Sequence, residues 1–155
     1  MKKAKEVMGM FYFAYGSNMN LQQMKERCSN SAEFLKRAYL EGYKFVYDGY
    51  SSTRNGSVAN IVKEEGSVVW GALYRIDEDC LKKLDEYEGY PKFYRRDELI
   101  VKDDYGNEYK AWVYLRKPQG EGKPSKKYMN IVVIGAIQCG LPEHYIMEYL
   151  KVEAE

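Results

Sequence analysis

Apolar positions change their spacing along the chain, and each spacing predicts one kind of element. The run at residues 10–15 predicts a buried first strand. SNMNLQQMKERC predicts a helix next, because Met19, Met24 and Cys28 lie on one helical stripe. We expect Ser17 or Asn18 to cap this helix, because their side chains accept hydrogen bonds from its first N–H groups. The chain thus passes from a strongly apolar strand directly into a Gly-Ser-Asn turn.

The middle of the chain alternates apolar and polar residues with the period of two that is typical of strands. RAYLEGYKFVYDG predicts a half-buried second strand, and the Asn-Gly step of SSTRNG predicts a hairpin turn after it. SVANIVK predicts a third strand. SVVWGALYRI predicts a fourth, which is apolar on both faces and should therefore be central in the sheet.

Capping residues mark the remaining helices. DEDCLKKLDEYEG predicts a helix that begins after Asp77 and stops at Gly89, with Cys80, Leu81 and Leu84 facing inward. FYRRDELIVKD and EYKAWVYLRK predict an antiparallel pair joined by DYGN, and two helices follow, divided at a glycine and a proline. Early strands and late paired helices indicate an α+β class with a mainly antiparallel sheet that can curl into a barrel.

Length and charge restrict the function classes. At 155 residues the chain fits a single domain, 1–155, and its 45% hydrophobic and 30% charged content is ordinary for a globular protein. Lysine and arginine number 24 against 23 acidic residues, so we expect neither nucleic acid nor a membrane surface as a partner. The 16 tyrosines fit two interpretations, a β-rich domain with wet strand edges or a pocket lined by phenols.

Cysteine usage favours a reducing cytoplasm. Cys28, Cys80 and Cys139 are an odd, widely spaced set, which predicts no disulfide framework, and with His144 as the single histidine we expect no zinc site. The start MKKAKEVMGMFYFAYG imitates a signal peptide. However, Glu6 interrupts it and no small-residue cleavage site follows, so we do not expect secretion.

Two segments are candidates for chemistry, since the chain has no G-x-S-x-G elbow and no phosphate-binding loop. The first is the YGSN turn. Gly16 lets the backbone bend and a ligand approach, and the following N–H groups at a helix start form an anion site. The alternative is that the turn only connects a strand to a helix and binds nothing.

The second segment is LDEYEGYP, where Asp79, Asp85, Glu86 and Glu88 would crowd one helix end against its macrodipole. The alternative to a functional site is a group of solvent-exposed carboxylates without a function. Glu88 is the strongest candidate, because Gly89 shapes the turn after it and aromatic rings follow. Desolvation among rings would raise the pKa of its carboxyl, which suits proton transfer near neutral pH. The rings expected around it are those of Tyr87, Tyr90, Phe93 and Tyr94.

Five motifs, in this order and at these distances, resemble one known family. YFAYGSNM, VWGALY, LDEYEGYP-x-x-Y, PS-x-x-Y and GLP-x-x-Y are similar to those of the γ-glutamylcyclotransferase-like family, and most closely of its small bacterial members. The resemblance runs from Tyr12 to Val152. It implies a small mixed barrel flanked by helices. It also implies an enzyme that converts a γ-glutamyl amine or amino acid into 5-oxoproline and the free amine, by intramolecular attack of the α-amine.

The resemblance also implies roles for individual residues. Glu88 corresponds to the single general acid/base, with no metal and no organic cofactor, and Tyr94 and Tyr128 correspond to pocket tyrosines that orient the substrate. The N–H groups of the binding loop either stabilise the developing oxyanion or hold the α-carboxylate, and both roles stay open. The stretch NGSVANIV departs from the family, in which a glycine pair often precedes this strand. The implied binding loop comprises Tyr12, Phe13, Ala14, Tyr15, Gly16, Ser17 and Asn18.

Two other functions remain open from the sequence. One is a binding module that senses a small amino-acid-like ligand without turnover, although such a binder would not need Glu88. The other is a cyclotransferase that removes a γ-glutamyl group from a larger carrier, which the basic pairs at 82–83 and 126–127 would favour. A small-molecule γ-glutamyl substrate is the expected partner, and the number of subunits stays open, a homodimer included.

Overall fold

A mixed five-stranded barrel forms the centre of the protein, and the computed structural model describes residues 9–155. Its strands are β1 (Met10–Ala14), β2 (Ala32–Ser51), β3 (Gly56–Ile76), β4 (Arg95–Lys102) and β5 (Glu108–Leu115). They follow the order β1-β3-β2-β4-β5, and a parallel pairing of β5 with β1 closes the barrel while the other pairs are antiparallel. The predicted α+β class with a mainly antiparallel barrel is confirmed.

The hairpin of β2 and β3 is longer than the sequence predicts. The segments predicted as third and fourth strands are one strand, β3, which pairs with β2 along most of its length. The register shifts between Glu41 and Tyr43 of β2, so that residues 64–67 bulge from β3. The prediction of two strands was wrong because Gly66, with φ of 89°, lies in this bulge and not in a turn. The predicted Asn-Gly turn between β2 and β3 is confirmed, and Asn55 has φ of 56°.

Helices flank the barrel. Within the described residues they are α1 (Leu21–Cys28), α2 (Glu78–Glu88), α3 (Lys126–Gln138) and α4 (Glu143–Tyr145), and α4 continues into a π-helical turn at Ile146–Leu150. The first helix begins later than predicted, because Ser17–Met19 form a 3-10 turn. Asn20 caps α1 by accepting a hydrogen bond from the Gln23 N–H, so the prediction of Ser17 or Asn18 as the cap was wrong.

Both predicted caps of α2 are confirmed. The Asp77 side chain accepts a hydrogen bond from the Cys80 N–H, and Gly89 ends the helix in the left-handed conformation with φ of 71°. Leu81 and Leu84 are buried against the barrel, as the helical spacing predicts. This register leaves the last helical residue at the mouth of the barrel, beside the turn that follows β1.

Cys28 and Cys80 form a disulfide that joins the end of α1 to the start of α2. The prediction of no disulfide was wrong for this pair. The two cysteines are 52 residues apart in sequence, and only the packing of α1 against α2 brings their Cα atoms to 5.1 Å, within the usual range for a bridge. Cys139 is free and buried.

Two sequence predictions concern the first residues of the chain. The segment considered as a signal peptide includes residues 1–8, which lie outside the described residues, so its interpretation and the 1–155 domain bounds stay predictions. Between residues 9 and 155, no helix combines the length and the apolar character needed to cross a membrane.

Candidate active site

The mouth of the barrel holds a small cavity of about 340 Å³, counting its opening. All residues of the predicted binding loop except Ala14 line this inner cavity, whereas Ala14 is buried and does not reach its wall. Glu88, Tyr94 and Tyr128 line it as well, so the fold brings together side chains from three separate sequence motifs. Ala59 of β3 lies in the wall too, and nothing in the strand pattern distinguished it from its neighbours.

Gly16 is required by close packing of the turn on strand β3. A Cβ atom on Gly16 would lie 2.9 Å from the Cβ of Ala59, closer than side chains approach one another. Gly16 also lies at a bend of the chain, with φ of −120° and ψ of −135°. The glycine therefore serves the predicted bend as well as the close approach to β3.

Glu88 extends its carboxylate into the inner cavity from the last turn of α2. Asn18 donates from its side-chain amide to Glu88 Oε2 over 3.3 Å and to the Tyr12 hydroxyl over 2.9 Å. Desolvation by burial raises the pKa of Glu88 to about 7, although three nearby arginines and the Asn18 hydrogen bond oppose the rise. A carboxyl with a pKa near 7 can both accept and release a proton at neutral pH.

The neighbouring carboxylates of α2 do not share the inner cavity with Glu88. Asp85 forms an ion pair with Arg96 of β4 at 2.8 Å and accepts a hydrogen bond from the Tyr114 hydroxyl at 2.7 Å. Asp79 lies in the first turn of the helix, where it pairs with a lysine one turn later. The predicted crowding was wrong for Asp79, whereas Asp85, Glu86 and Glu88 do lie at the end of the helix, where Arg96 neutralises Asp85.

The rings that shelter Glu88 differ from those predicted. Tyr87 is 61% exposed, Tyr90 40% and Phe93 37%, so these three rings face solvent, and only Tyr94 of the predicted set is buried beside the carboxylate. The structure agrees with the interpretation of the tyrosine content as a phenol-lined pocket. The sequence did not single out Tyr114 of β5. The tyrosines of the inner cavity are Tyr12, Tyr15, Tyr94, Tyr114 and Tyr128.

Tyr94 and Tyr128 hold the two backbone polar groups of Ala59 in β3, its carbonyl and its N–H. The Tyr94 hydroxyl donates to the Ala59 carbonyl, to which Arg116 also donates over 3.3 Å. The Tyr128 hydroxyl instead accepts from the Ala59 N–H over 3.0 Å. The Tyr94 proton is therefore engaged, whereas the Tyr128 hydroxyl keeps its proton for another acceptor.

Several donors around the inner cavity are not used by the described part of the chain. The main-chain N–H groups of Gly16, Ser17 and Asn18 find no acceptor among residues 9–155. The Tyr12 hydroxyl accepts from Asn18, so its proton is available, as is that of Tyr128. Donors without acceptors, on residues that line one cavity, suit a ligand with carbonyl or carboxylate oxygens.

A larger outer cavity of about 1150 Å³, counting its open mouth, adjoins the inner one. Ser17, Glu88, Tyr94 and Tyr128 line both, so the two cavities meet at the carboxylate. The other charged residues that line the outer cavity were not predicted from the sequence, because an arginine in a turn or on a helix is common on any protein surface. These charged residues are Arg27 of α1, Arg54 of the β2–β3 turn and Glu86 of α2.

Metal chemistry finds no support in the side-chain arrangement. Among residues 9–155, no three His, Cys, Asp or Glu side chains are grouped so as to hold a metal ion. His144 is exposed on α4, as the sequence predicts. The site therefore offers a carboxyl group, phenols and main-chain amides as its reactive and binding groups.

Similarity to known proteins identifies the family. A family profile described as gamma-glutamyl cyclotransferase, AIG2-like, matches residues 12–130. This chain belongs to that family. It is 34% identical over 145 residues to the gamma-glutamylcyclotransferase of Homo sapiens. The aligned segment covers 90% of this chain and 76% of the human protein. The gamma-glutamylcyclotransferase of Mus musculus is 32% identical over the same shares of the two chains.

Solved structures agree with this membership of the gamma-glutamyl cyclotransferase family. A structure of a gamma-glutamyl cyclotransferase superposes with a TM-score of 0.87 at 30% identity, covering 94% of this chain and 89% of that one. The family and the enzyme class predicted from the sequence motifs are confirmed, and so is the barrel flanked by helices. The comparisons favour neither a non-catalytic binding module nor a carrier-specific enzyme.

Proposed function

We propose that this chain is a γ-glutamylcyclotransferase that converts a γ-glutamyl amine or γ-glutamyl amino acid into 5-oxoproline and the free amine. The observation that carries the proposal is the Glu88 carboxyl, whose pKa burial raises to about 7. It shares one cavity with the N–H groups after β1, which have no acceptor within residues 9–155. Family membership supports the reaction, and the cavity contains groups suited to each of its steps.

The first requirement of this reaction is a folded substrate. The α-amine attacks the γ-carbonyl carbon of the same molecule, the new C–N bond closes a five-membered lactam, and the original amide C–N bond breaks. Because nucleophile and electrophile are tethered, alignment alone contributes up to ~7–11 kcal/mol to lowering the barrier. In the proposal, the phenol-lined wall and the turn after β1 hold the glutamyl group in the folded conformation.

The second requirement is proton transfer, which we assign to Glu88. An α-amine is largely protonated near neutral pH and must lose protons to attack, while the departing nitrogen must gain them. Ionised Glu88 accepts a proton from the α-ammonium group and passes it to the departing nitrogen, and after ring closure it relays the second proton from the ring nitrogen to the same departing amine. The carboxylate is regenerated, and these steps need no other acid or base.

The third requirement is stabilisation of negative charge on the γ-carbonyl oxygen. The N–H groups of Gly16, Ser17 and Asn18 are suitable donors, and one donor of this kind is typically worth ~2.7–4 kcal/mol. The same groups also suit the α-carboxylate of the glutamyl group. A substrate analogue that lacks this carboxylate separates the two roles, since it would lose affinity only in the second case.

The proposal is tested by 5-oxoproline release from a panel of γ-glutamyl compounds, measured by mass spectrometry. Glu88→Gln keeps the shape of the side chain and removes proton transfer, so we expect turnover to fall about 10²–10⁴-fold. Glu78→Gln, at the exposed start of the same helix, is the matched control and should keep wild-type turnover. Equal turnover by wild type and Glu88→Gln would contradict the assigned role.

The same assay separates the other two functions. A binding module would take up γ-glutamyl compounds in calorimetry without forming 5-oxoproline. A carrier-specific enzyme would release 5-oxoproline only from a γ-glutamyl group on a protein carrier. Release from free small γ-glutamyl compounds supports the proposal against both.

A cytoplasmic location is part of the proposal, on the strength of the scattered cysteines. The Cys28–Cys80 disulfide is the one observation against it. Acid quenching of the cells that make this protein, followed by unfolding and alkylation, would decide the point, because a reducing compartment leaves both buried cysteines as thiols.

A further inference from the structure

The segment that carries Glu88 is not fixed by apolar packing. Leu84 of α2 is fully buried, and the next buried apolar side chain along the sequence is that of Tyr94. Between these two positions, residues 86, 87 and 89–93 are all exposed. The proposed acid/base therefore lies on a part of the chain that contributes little to the hydrophobic core.

The Glu88 side chain itself is held only weakly. Its one hydrogen bond within residues 9–155 comes from the Asn18 amide over 3.3 Å. This distance is longer than the usual range of about 2.7–3.2 Å for such a bond. Because the side chain has little restraint of its own, the contacts that hold the backbone at the end of α2 decide where the carboxyl lies.

Arg96 of β4 provides a polar anchor for this end of α2. Its Nε and Nη2 atoms donate to the two oxygens of Asp85 over 2.8 and 3.1 Å, the paired geometry that makes such bonds strong. The hydroxyl of Tyr114, which lies opposite Arg96 in the β4–β5 pair, donates to the same carboxylate over 2.7 Å. The side chains of Arg96 and Asp85 are only 16% and 20% exposed, so water screens the ion pair little.

The same guanidinium group also holds the turn that follows Glu88. The central carbon of the Arg96 guanidinium lies 4.5 Å from the centre of the Tyr90 ring and 4.4 Å from that of Trp112. The Tyr90 N–H donates to the Asp85 carbonyl over 2.9 Å and so closes the end of the helix. One side chain of the barrel thus contacts the chain three residues before Glu88 and two residues after it.

Neither helix stability nor ligand binding explains this arrangement. A carboxylate in the last turn of a helix is opposed by the helix macrodipole, so Asp85 does not serve α2 by itself. Asp85 and Arg96 are not among the described residues that line the inner or the outer cavity. Their place in the fold suits a support for Glu88 and not a contact with substrate.

We propose that Arg96 is a positioning residue for the cyclotransferase reaction, because it fixes the backbone on both sides of Glu88 and so places this carboxyl against the substrate. This inference rests on the proposed function. Arg96 itself neither binds the substrate nor transfers a proton. Its loss leaves the walls of both cavities in place but lets the end of α2 move, so Glu88 reaches the reacting nitrogens less often in the required geometry.

The test compares kcat and KM of wild type and Arg96→Lys for 5-oxoproline release from γ-glutamyl-alanine, or from the panel compound that wild type cleaves fastest. Lysine keeps the charge but lacks the planar fork that binds both carboxylate oxygens and stacks on rings. We expect kcat to fall about 10- to 100-fold, since a misplacement of about 1 Å costs up to this factor. KM should change less than about 3-fold, because Arg96 is not part of the described cavity walls.

Arg95→Lys is the matched control for this variant. Arg95 precedes Arg96 on the same strand, is exposed, and forms its ion pair with Asp97 of that strand. Both kinetic constants should stay at the wild-type values. An unchanged kcat in Arg96→Lys, or a rise in KM without a fall in kcat, would overturn the inference.

Combination with Glu88→Gln separates positioning from a general loss of structure. If Arg96 acts through Glu88, Arg96→Lys should not lower the residual turnover of Glu88→Gln any further, because the group it places no longer transfers protons. A merely structural role would lower turnover by the same factor in both backgrounds, and that result would overturn the inference.

Tyr90→Leu provides a second, milder variant. It removes one ring from the guanidinium at a site that is 40% exposed, so the fold should tolerate it. We expect a smaller fall in kcat, again with little change in KM. Tyr105→Leu, on the exposed turn between β4 and β5, is its control. Circular dichroism and urea unfolding give the folded fraction of each variant, to which kcat is normalised, and an unchanged normalised kcat in Tyr90→Leu and Arg96→Lys would overturn the inference.

Failure of the inference and failure of the proposed function give different results. Release of 5-oxoproline by wild type, with the same kcat in Arg96→Lys, would overturn the positioning role and leave the cyclotransferase function standing. Absence of 5-oxoproline from every compound in the panel would overturn both.

Discussion

Asn18 and Glu88 are joined by a hydrogen bond of 3.3 Å, from the side-chain amide of the first to the carboxylate of the second. The contact links the turn after β1 to the end of α2, across 70 positions of sequence. Gln23 holds the Asn18 amide in this orientation by donating to its carbonyl oxygen over 2.9 Å. Asn18 is thus a positioning residue for the proposed acid/base.

Replacement of Asn18 by aspartate should move the pH dependence of activity. The change keeps the size of the side chain, removes the donor and places a like charge beside Glu88, so the pKa of Glu88 should rise by about 1 unit or more. Since Glu88 must be ionised to accept a proton, the rising limb of kcat/KM against pH, near 7 in wild type, should shift to higher pH. Asn30→Asp, on an exposed turn, should leave the profile unchanged, and an unshifted limb in Asn18→Asp would refute the coupling.

Glu88 should make stability depend on pH. Its folded-state pKa of about 7 lies above the ordinary value of about 4.3, so between these values the folded chain holds a proton that the unfolded chain has released. The free energy of unfolding therefore falls as pH rises through this window, by roughly 1–3 kcal/mol.

Thermal unfolding of Glu88→Gln at several pH values measures this effect. The variant cannot ionise, so its advantage in Tm over wild type should grow from pH 5 to pH 8. Glu65→Gln, an exposed site in the β3 bulge, provides the comparison. An advantage that is constant with pH would mean that Glu88 does not carry the raised pKa.

Removal of the hydroxyl groups of Tyr94 and Tyr128 should have unequal costs. Tyr128→Phe leaves the buried N–H of Ala59 without an acceptor, which costs about 1–3 kcal/mol. Tyr94→Phe leaves the Ala59 carbonyl with its second donor, Arg116, so the loss should be smaller. Urea unfolding of the two variants checks the order, and a larger loss for Tyr94→Phe would show that the backbone of Ala59 is not held as described.

The disulfide between Cys28 and Cys80 should contribute to stability. It closes a long loop and ties α1 to the helix that carries Glu88, so its reduction should lower the free energy of unfolding by about 2–4 kcal/mol. Urea unfolding with and without a thiol reductant measures the loss. The variant with serine at both positions should not respond to the reductant. Alkylation of the unfolded, unreduced protein should label one cysteine of the three, and labelling of all three would disprove the bridge.

Capping and turn residues in the sequence were sufficient to predict where the elements beside the site begin and end. Asp77 and Gly89 predicted both ends of α2, and the Asn-Gly step predicted the turn that carries Arg54, because capping and turn formation act within a few residues. The ordered set of five motifs, which includes the one around Glu88, also identified the family. The local signal at Gly66 predicted a turn between two strands, but this residue lies in a bulge. A bulge and a turn can both require a positive φ, so the sequence does not distinguish them.

The sequence alone determined the class of the fold, the family and the identity of the carboxyl that we assign to proton transfer. The surroundings of that carboxyl depend on contacts between distant parts of the chain and could not be predicted from the sequence. Ala59 and Tyr114 come from different strands, Arg27 and Arg54 from a helix and a turn, and the partner of Cys28 from another helix. Closure of the barrel and the packing of its helices select which side chains meet at the mouth, and that selection depends on contacts between residues far apart in the chain.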